Sequence, residues 1–143
     1  MKRVLLPIDG SDCALRALTL LLDKRSRYRN PEDLDIHLVN VQAPLSHDVT
    51  RFASNEQVAE FHREQSEKAM HGACQLLDAA KAAHTCHHLI GSVADEICQL
   101  ADALQCDQIV MGTHGRGALQ ELLMGSITTK VIHLSKIPIL LVK

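Results

Sequence analysis

The chain has 143 residues, of which 46% are hydrophobic, and its net charge is −2 at pH 7. This length is enough for one domain with a substantial buried core. The charge gives no electrostatic basis for binding nucleic acid, and no apolar run approaches the length that crosses a membrane. We therefore predict a single soluble domain, residues 1–143, with neither nucleic acid nor membrane as a partner.

The aromatic residues and cysteines restrict the class of protein further. Only Tyr28, Phe52 and Phe61 are aromatic, so the core must be aliphatic, which favours helices packed on a parallel sheet. The five cysteines are odd in number and include no Cys-x-x-Cys pair, as expected of reduced thiols. The apolar run at residues 4–8 is too short for the core of a signal peptide, so we expect a cytoplasmic location.

The first half of the chain alternates between apolar runs and helical periodicity. Residues 3–8 form a near-continuous apolar run, which predicts a buried strand that ends at the turn Asp9-Gly10-Ser11. Ser11 is a suitable N-cap for a helix that extends to about residue 27. Asp35–Gln42 predicts a second strand, residues 43–54 a loop, and residues 55–83 a long helix.

The second half repeats the order of strand, loop and helix. His84–Ile90 predicts a third strand, and the spacing of Ser92 and Asp95 predicts a capping box at the next helix. Residues 108–111 predict a fourth strand, residues 129–135 a helix, and Ile139–Val142 a last strand. Such repeats form parallel sheets through right-handed crossovers. The predicted fold is α/β and Rossmann-like: an open five-stranded parallel sheet of order 3-2-1-4-5 with helices on both faces.

The segment after the fourth strand has the spacing Gly112-x2-Gly115-x9-Gly125-Ser126. Glycine lets a backbone approach a ligand closely, and a helix N-terminus offers unpaired N–H groups and the positive end of a dipole. Together these features predict an anion site, most simply for phosphate. The alternative is a purely structural loop in which Ser126 is the N-cap of the last helix.

Asp9 and this glycine loop are expected to face each other. In an open sheet of order 3-2-1-4-5, ligands bind beyond the carboxyl ends of the strands where the order reverses, here the first and fourth. Asp9 follows the first and Gly112 the fourth, so Asp9 could accept from a ribose hydroxyl or an adenine amino group while the loop holds phosphates. Val39 and Val41 could form an apolar wall for the base. The alternative is that Asp9 is only a turn or cap residue.

Three features of the chain resemble those of a universal stress protein. They are the first strand ending in Pro7-Ile8-Asp9-Gly10-Ser11, the glycine spacing, and the terminal strand Pro138-Ile139-Leu140-Leu141-Val142. The resemblance covers the whole chain in element order and length. It implies a cytoplasmic α/β domain, usually a homodimer, of the ATP-binding branch, because the other branch lacks this loop. Asn40 stands where we would often expect His, a minor departure.

Carried onto this sequence, the resemblance implies a role for each matching residue. Asp9 would contact the adenosine and Val41 would line the base pocket, with Pro7 and Ile8 beside them. The residues that would surround the ribose and phosphates are Met111, Gly112, His114, Gly115 and Arg116. Those that would bind phosphate through N–H and hydroxyl groups are Gly125, Ser126, Ile127 and Thr128. The expected ligand is ATP or AMP, with Mg²⁺ able to accompany the nucleotide.

The predicted function is an ATP-binding regulatory or stress-response module. One alternative is a slow ATPase or self-phosphorylating enzyme, and another is a dimeric adaptor that does not bind nucleotide. The glycine loop lacks the Lys-Ser/Thr ending of a P-loop, whose lysine stabilises β- and γ-phosphate charge. We therefore assign no catalytic residue and expect, at most, weak hydrolysis.

The last strand, Ile139–Val142, predicts the mode of self-association. At the edge of a sheet it would leave an apolar ladder unpaired, and pairing with the same strand of a second chain would close it in a two-fold dimer. The alternative is that the final helix or the chain end covers this strand.

The segment His84-Thr85-Cys86-His87-His88 raises a metal hypothesis. His84, Cys86 and His88 would share one face of the third strand, at a pitch from which side chains can meet a metal. No second cluster completes a site, so we interpret this segment as an exposed polar edge strand. The cysteines on predicted helices, taken as packing residues, are Cys13, Cys74 and Cys98. Cys106 precedes a turn and could be exposed.

Overall fold

The computed structural model describes residues 2–115 and 124–143. Its strands are β1 (Arg3–Pro7), β2 (Asp35–Gln42), β3 (His84–Ile90), β4 (Gln108–Gly112) and β5 (Ile139–Val142). Its helices are α1 (Asp12–Arg25), α2 (His47–Thr50), α3 (Asn55–Ala79), α4 (Val93–Ala103) and α5 (Ser126–Leu134). One turn of 3₁₀ helix, Pro31–Asp33, precedes β2. None of the helices in the described ranges combines the length and apolarity needed to cross a bilayer.

The strands of the described chain form one parallel sheet in the order β3-β2-β1-β4-β5. Leu6 of β1 lies beside Leu38 of β2, and Leu5 lies beside Ile109 of β4. The order reverses at β1, because β2 and β3 extend to one side of it and β4 and β5 to the other. The predicted single-domain α/β fold and its strand order are confirmed, and β1 and β4 are neighbours at the reversal.

Alternate residues of β1 bury themselves on opposite faces of the sheet. Leu6 is fully buried in a cluster with Leu18 of α1 and Leu77 of α3. Leu5 is fully buried on the other face, with Ile97 of α4 and residues of α5. Burial of each such side chain contributes about 1.5–3 kcal/mol. Helices therefore cover both faces of the sheet, and the core is aliphatic as predicted.

The segment predicted as a loop, residues 43–54, contains the short helix α2. The Ser46 hydroxyl caps it by accepting from the Val49 N–H at 3.4 Å. A helix of four residues completes barely one turn, so it leaves no apolar periodicity in the sequence. The prediction of an uninterrupted loop was wrong. The following helix, α3, ends at Ala79 rather than near residue 83.

The last helix begins at Ser126, so the Gly125-Ser126 pair opens it, three residues before the span 129–135 predicted for the helix. Its N-cap is Gly125, which has an extended backbone, and not Ser126. The first hydrogen bond within α5 runs from the Thr129 N–H to the Gly125 carbonyl at 3.0 Å. Ser126 therefore belongs to the first turn of the helix, where its N–H has no intrahelical acceptor.

The prediction of a capping box at Ser92 was wrong, because the motif does not form there. The Ser92 hydroxyl donates to the Asp95 carboxylate and makes no capping bond to the backbone. A serine hydroxyl can donate or accept, so the spacing alone does not decide its partner. A capping box does start α3: the Ser54 hydroxyl accepts from the Gln57 N–H at 3.1 Å, and Gln57 Oε1 accepts from the Ser54 N–H at 2.9 Å.

All five cysteines are free thiols. Those predicted on helices lie on helices. Cys106, whose position before a turn left exposure open, is only 7% exposed. The Asp107 carboxylate accepts from the N–H groups of Lys2 and Arg3 at 2.7 and 2.8 Å. These bonds hold the turn against the start of β1 and bury the neighbouring thiol. That burial raises the pKa of Cys106 to about 11.

Candidate functional site

A crevice opens at the carboxyl ends of β1 and β4, where the strand order reverses. It encloses about 230 Å³, and its lining is mainly apolar with a few convergent polar groups, as in most small-molecule pockets. The described residues that line it are Pro7, Ile8, Asp9, Ser11, Ala14, Val39, Asn40, Val41, Val93, Ile97, Met111, Gly112, His114, Gly115, Ile127 and Thr128.

The turn between β1 and α1 fixes the carboxylate of Asp9 at one side of the crevice. Oδ1 of Asp9 accepts from the Ser11 N–H at 2.9 Å. Between them Gly10 has a φ of +83°, a left-handed conformation that glycine adopts without strain. The Ser11 hydroxyl then caps α1 by accepting from the Ala14 N–H at 3.2 Å. The start of α1 and the orientation of the Asp9 side chain are thus set by the same turn.

Gly115 lies directly against this carboxylate. A Cβ at position 115 would be 2.6 Å from Oδ2 of Asp9, closer than Cβ atoms come to other groups in proteins. Only a residue without a side chain lets the loop after β4 approach Asp9 so closely. Asp9, Gly112 and Gly115 therefore line the same crevice, and Gly115 is the glycine that lies against the carboxylate.

Gly112 has a different neighbour, the start of α1. A Cβ at position 112 would lie 2.7 Å from Sγ and 2.8 Å from the carbonyl carbon of Cys13. The Cys13 thiol donates to the Val142 carbonyl at 3.3 Å, which connects α1 to the end of β5. The Thr113 hydroxyl lies 3.0 Å from Nδ1 of His114. This layer beneath the loop positions His114 at the crevice.

The backbone at the start of α5 closes the other side of the loop. The Gly125 N–H donates to the Thr113 carbonyl at 2.7 Å, which joins the two ends of the loop. Gly125 has no side chain to cap α5, so the N–H groups of the first turn and the positive end of the helix dipole are directed towards this region. Ile127 and Thr128, from that first turn, line the crevice.

Thr128 differs in part from its predicted role. Its side chain is buried, and its hydroxyl donates to the Gly112 carbonyl at 3.1 Å. The hydroxyl proton is therefore used to hold α5 against the end of β4. The resemblance implied that this hydroxyl binds phosphate. In the structure, the Thr128 group that is available to an anion is the backbone N–H.

The end of β2 forms the apolar wall that was expected. Val39 and Val41 both line the crevice. Between them Asn40 is buried, with Nδ2 donating to the Ile8 carbonyl at 2.7 Å and Oδ1 accepting from Nε2 of Gln42 at 2.8 Å. The residue that departs from the family pattern thus joins the ends of β1 and β2 beside Asp9.

The predicted site residues line the crevice with three exceptions. Gly125 is buried behind the lining and bonds to Thr113. Ser126 is exposed at the first position of α5. Arg116 lies outside the described residues. Lys130, a cation close to the loop in sequence, pairs with Asp95 at 3.4 Å on the surface.

Sequence reasoning missed several residues of the lining, namely Ser11, Ala14, Asn40, Val93 and Ile97. The turn that orients Asp9 continues directly into Ser11 and Ala14, so their proximity could have been inferred from the Asp9-Gly10-Ser11 segment. Val93 and Ile97 come from the first turns of α4. Their approach depends on how α4 packs on the sheet, which no local pattern reveals.

The Cys13 thiol lies beneath the loop, and its pKa differs from the ordinary value. Burial opposes ionisation of the Cys13 thiol. Hydrogen bonds involving the backbone of His114, the Thr113 hydroxyl and the Thr113 backbone outweigh that cost, and the pKa of Cys13 is lowered. The charge of Arg16 lowers it further.

The fold and the site together define a class of protein: a Rossmann-like domain with a carboxylate and a glycine loop facing each other where the strand order reverses. A sequence model of the universal stress protein family matches residues 1–143. The chain belongs to the universal stress protein family.

Several known proteins match this chain over nearly its whole length. It is 30% identical over 142 residues to the universal stress protein in QAH/OAS sulfhydrylase 3'region of Thermus aquaticus, which covers 99% of this chain and 98% of that protein. The solved structure of MJ0577, from Methanocaldococcus jannaschii, has a TM-score of 0.82 at 27% identity, covering 99% of this chain and 95% of that one. An Arabidopsis thaliana protein of the family, solved with AMP bound, has a TM-score of 0.71 at 17% identity, covering 100% and 92%; it shares the fold.

Proposed function

We propose that this protein is a regulatory module that binds ATP or AMP in the crevice between Asp9 and the glycine loop. The observation that carries the proposal is the contact between the Asp9 carboxylate and Gly115, where a Cβ would be 2.6 Å from Oδ2. A loop that only connects β4 to α5 needs no such approach to a carboxylate after β1. The AMP-bound family member of the same fold supports an adenine nucleotide as the ligand.

The adenosine would occupy the side of the crevice formed by β1 and β2. Val39 and Val41 offer an apolar surface for the base, and Pro7 and Ile8 line the floor. Asp9 accepts from Ser11 through Oδ1, and its carboxylate can also accept from a ribose hydroxyl or an adenine amino group, because each carboxylate oxygen has two acceptor sites. The sugar would then lie between the base and the glycine loop.

The phosphates would lie between the end of β4 and the start of α5. Met111, Gly112, His114 and Gly115 border this side, and Arg116 follows directly in the sequence. We assign the phosphate contacts to N–H groups at the start of α5, from Ser126, Ile127 and Thr128, with Gly125 shaping the approach. A helix N-terminus binds anions through just these groups. Mg²⁺, when present, would be held by the nucleotide phosphates.

Self-association would use the exposed edge of the sheet. In the described chain β5 ends the sheet and pairs with β4 along one side. Its residues, Ile139 to Val142, are only partly buried. We propose that the same strand of a second copy pairs with it, because this covers an apolar edge and closes a two-fold dimer.

A conservative change at Asp9 tests the proposed function. Asp9→Asn keeps an oxygen for the Ser11 N–H but replaces the charged acceptor, and a hydrogen bond to a charged group contributes about 1.5–3 kcal/mol. We expect calorimetric ATP and AMP affinities to fall about 10- to 100-fold. Affinities equal to those of the unsubstituted protein would contradict the assignment. Phosphate release over hours in the presence of ATP and Mg²⁺ would favour a slow ATPase over a regulatory module.

A further inference from the structure

A second group of potential ligand side chains lies outside the crevice, between α3 and β3. Cys74 of α3 and His84 and Cys86 of β3 each offer one ligand atom, and these three atoms lie within 4.8 Å of one another. His84 and Cys86 share one face of the strand, and the sequence alone offers no further ligand beside them. Helix α3 supplies that ligand, whereas His88 bonds to the Ser66 hydroxyl instead.

We propose that Cys74, His84 and Cys86 form a zinc site that joins α3 to the edge strand β3. Two thiolates and one imidazole are a preferred donor set for Zn²⁺, and a site with three protein ligands keeps its fourth position for water or another group. Asp78 lies one turn after Cys74 on α3, and its charge acts on the Cys86 thiol, so its carboxylate is one candidate for the fourth position.

The separation of the two sulfur atoms matches that of a shared zinc ion. Two thiolates bound tetrahedrally at a Zn–S distance of about 2.3 Å are about 3.8 Å apart. Sγ of Cys74 and Sγ of Cys86 are 3.7 Å apart. The two sulfurs are therefore already spaced for binding one ion, and the main change on binding would be loss of their protons.

The tautomer of His84 is also that of a metal ligand. Nδ1 of His84 lies 3.0 Å from the Ala82 carbonyl. A carbonyl oxygen only accepts, so Nδ1 carries the proton and Nε2 keeps its lone pair. Metal-bound histidines commonly have this arrangement, in which an outer carbonyl fixes both the ring orientation and the tautomer. The bond to Ala82 thus prepares Nε2 to bind a cation.

Both elements that provide the sulfurs are held by the core. Cys74 follows Ala73, which is fully buried against the sheet. Cys86 lies in register with Leu38, a fully buried residue of β2. Zinc would therefore bind a largely formed site, and it would fasten the edge strand β3 to the helix that covers it. A ligand that binds only the folded state raises the stability of that state.

The test uses Co²⁺ as a spectroscopic probe and Zn²⁺ as its competitor, on the full chain under reducing conditions. We expect one Co²⁺ per chain with a thiolate-to-cobalt charge-transfer band, and bleaching of that band by one equivalent of Zn²⁺. We also expect Zn²⁺ to raise the thermal unfolding midpoint. Cys74→Ser, Cys86→Ser and His84→Asn should each weaken Zn²⁺ binding by more than the ~10- to 100-fold that loss of an outer partner costs.

The matched control is Cys98→Ser, which removes a thiol from the opposite face of the sheet. This variant should keep the charge-transfer band and the Zn²⁺ affinity of the unsubstituted protein. Circular dichroism establishes whether each variant is folded. If a serine variant does not fold, His84→Asn provides the test, because it retains both thiols. Cobalt uptake without a charge-transfer band would overturn the proposal, as would an unchanged Zn²⁺ affinity in folded Cys86→Ser.

Discussion

Oδ2 of Asp9 and Gly115 lie so close together that a Cβ on Gly115 would be 2.6 Å from the oxygen. Oδ1 of the same carboxylate accepts from the Ser11 N–H, so the Asp9 side chain cannot turn away without losing that bond. The atom that a Cβ would meet is the end of a side chain and not backbone. A larger residue at 115 should therefore displace the carboxylate and leave the fold intact.

Gly115→Ala is expected to lower the affinity for ATP without changing the stability of the fold. The added methyl group moves the Asp9 carboxylate out of the crevice wall, so ATP affinity should fall by about tenfold or more, the equivalent of one hydrogen bond to a charged group. The thermal unfolding midpoint should change little. Calorimetry and a thermal melt on the same sample measure both quantities. An unchanged ATP affinity would show that the contact between Asp9 and Gly115 is not part of the site.

Gly112→Ala should instead lower the free energy of unfolding. A Cβ there would lie 2.8 Å from the backbone of Cys13, so α1 or β4 must shift, and such overpacking costs about 1–3 kcal/mol. The matched control is Gly125→Ala, whose Cβ would have ordinary contacts of 3.5 Å and whose φ is −72°. Denaturant unfolding should show a large loss for the first variant and a small change for the second. Equal losses would be evidence against this packing.

Asn40→Leu should destabilise the protein although the position is buried. The Asn40 amide donates to the Ile8 carbonyl at 2.7 Å, and an apolar residue leaves that acceptor without this donor, at a cost of about 1–3 kcal/mol. Gln42→Ala removes the neighbouring amide, which is less buried, and should cost less because water can replace it. Denaturant unfolding of both variants makes the comparison. If Gln42→Ala costs as much as Asn40→Leu, the structural role of Asn40 is refuted.

The ion pair between Arg3 and Asp35 predicts a pH dependence of stability. The Arg3 guanidinium donates to Asp35 at 2.6 Å and lowers the pKa of that carboxyl below its usual 3.8. A lowered folded-state pKa contributes stability above the unfolded pKa and loses it as the pH falls through the folded pKa. Asp35→Asn should therefore be less stable at neutral pH, and the difference should vanish in acid.

The size of that effect is limited by exposure. Both side chains are more than two-fifths exposed, so solvent screens the pair, and the difference in unfolding free energy at neutral pH should be small. Denaturant unfolding of the two proteins, repeated at decreasing pH, measures the difference. A gap that stays constant from neutral pH into strong acid would mean that the carboxylate's charge is not its source.

The strand order and the position of the crevice could be predicted because they follow from patterns that act over long distances. Repeated strand–loop–helix units allow few topologies, and the carboxyl ends of neighbouring parallel strands lie at one edge. Asp9 and Gly112 were therefore expected at the same crevice once β1 and β4 were adjacent, and both line it. The structure adds that Gly115 lies so close to Asp9 that a Cβ at position 115 would be 2.6 Å from Oδ2.

Other features could not be predicted because they depend on packing or on a choice between partners. The short helix α2 has no apolar periodicity. The Ser92 hydroxyl donates to the Asp95 carboxylate and does not bond to the backbone. Cys74 and Cys86 are on different elements, and their contact at 3.7 Å depends on the rotation of α3. That rotation depends on how buried residues of α3 such as Leu77 pack on the sheet. Their pattern in the sequence does not show which residue of β3 will face Cys74.

The most direct test of nucleotide binding is a calorimetric titration of the purified protein with ATP and with AMP. Before the titration, a parallel sample is denatured, and any small molecule that it releases is identified by mass spectrometry. We predict either a stoichiometric adenine nucleotide in the released fraction or micromolar binding of one nucleotide per chain. A protein that releases no nucleotide and binds neither ATP nor AMP would contradict the proposal. The glycine loop would then be a structural connection between β4 and α5.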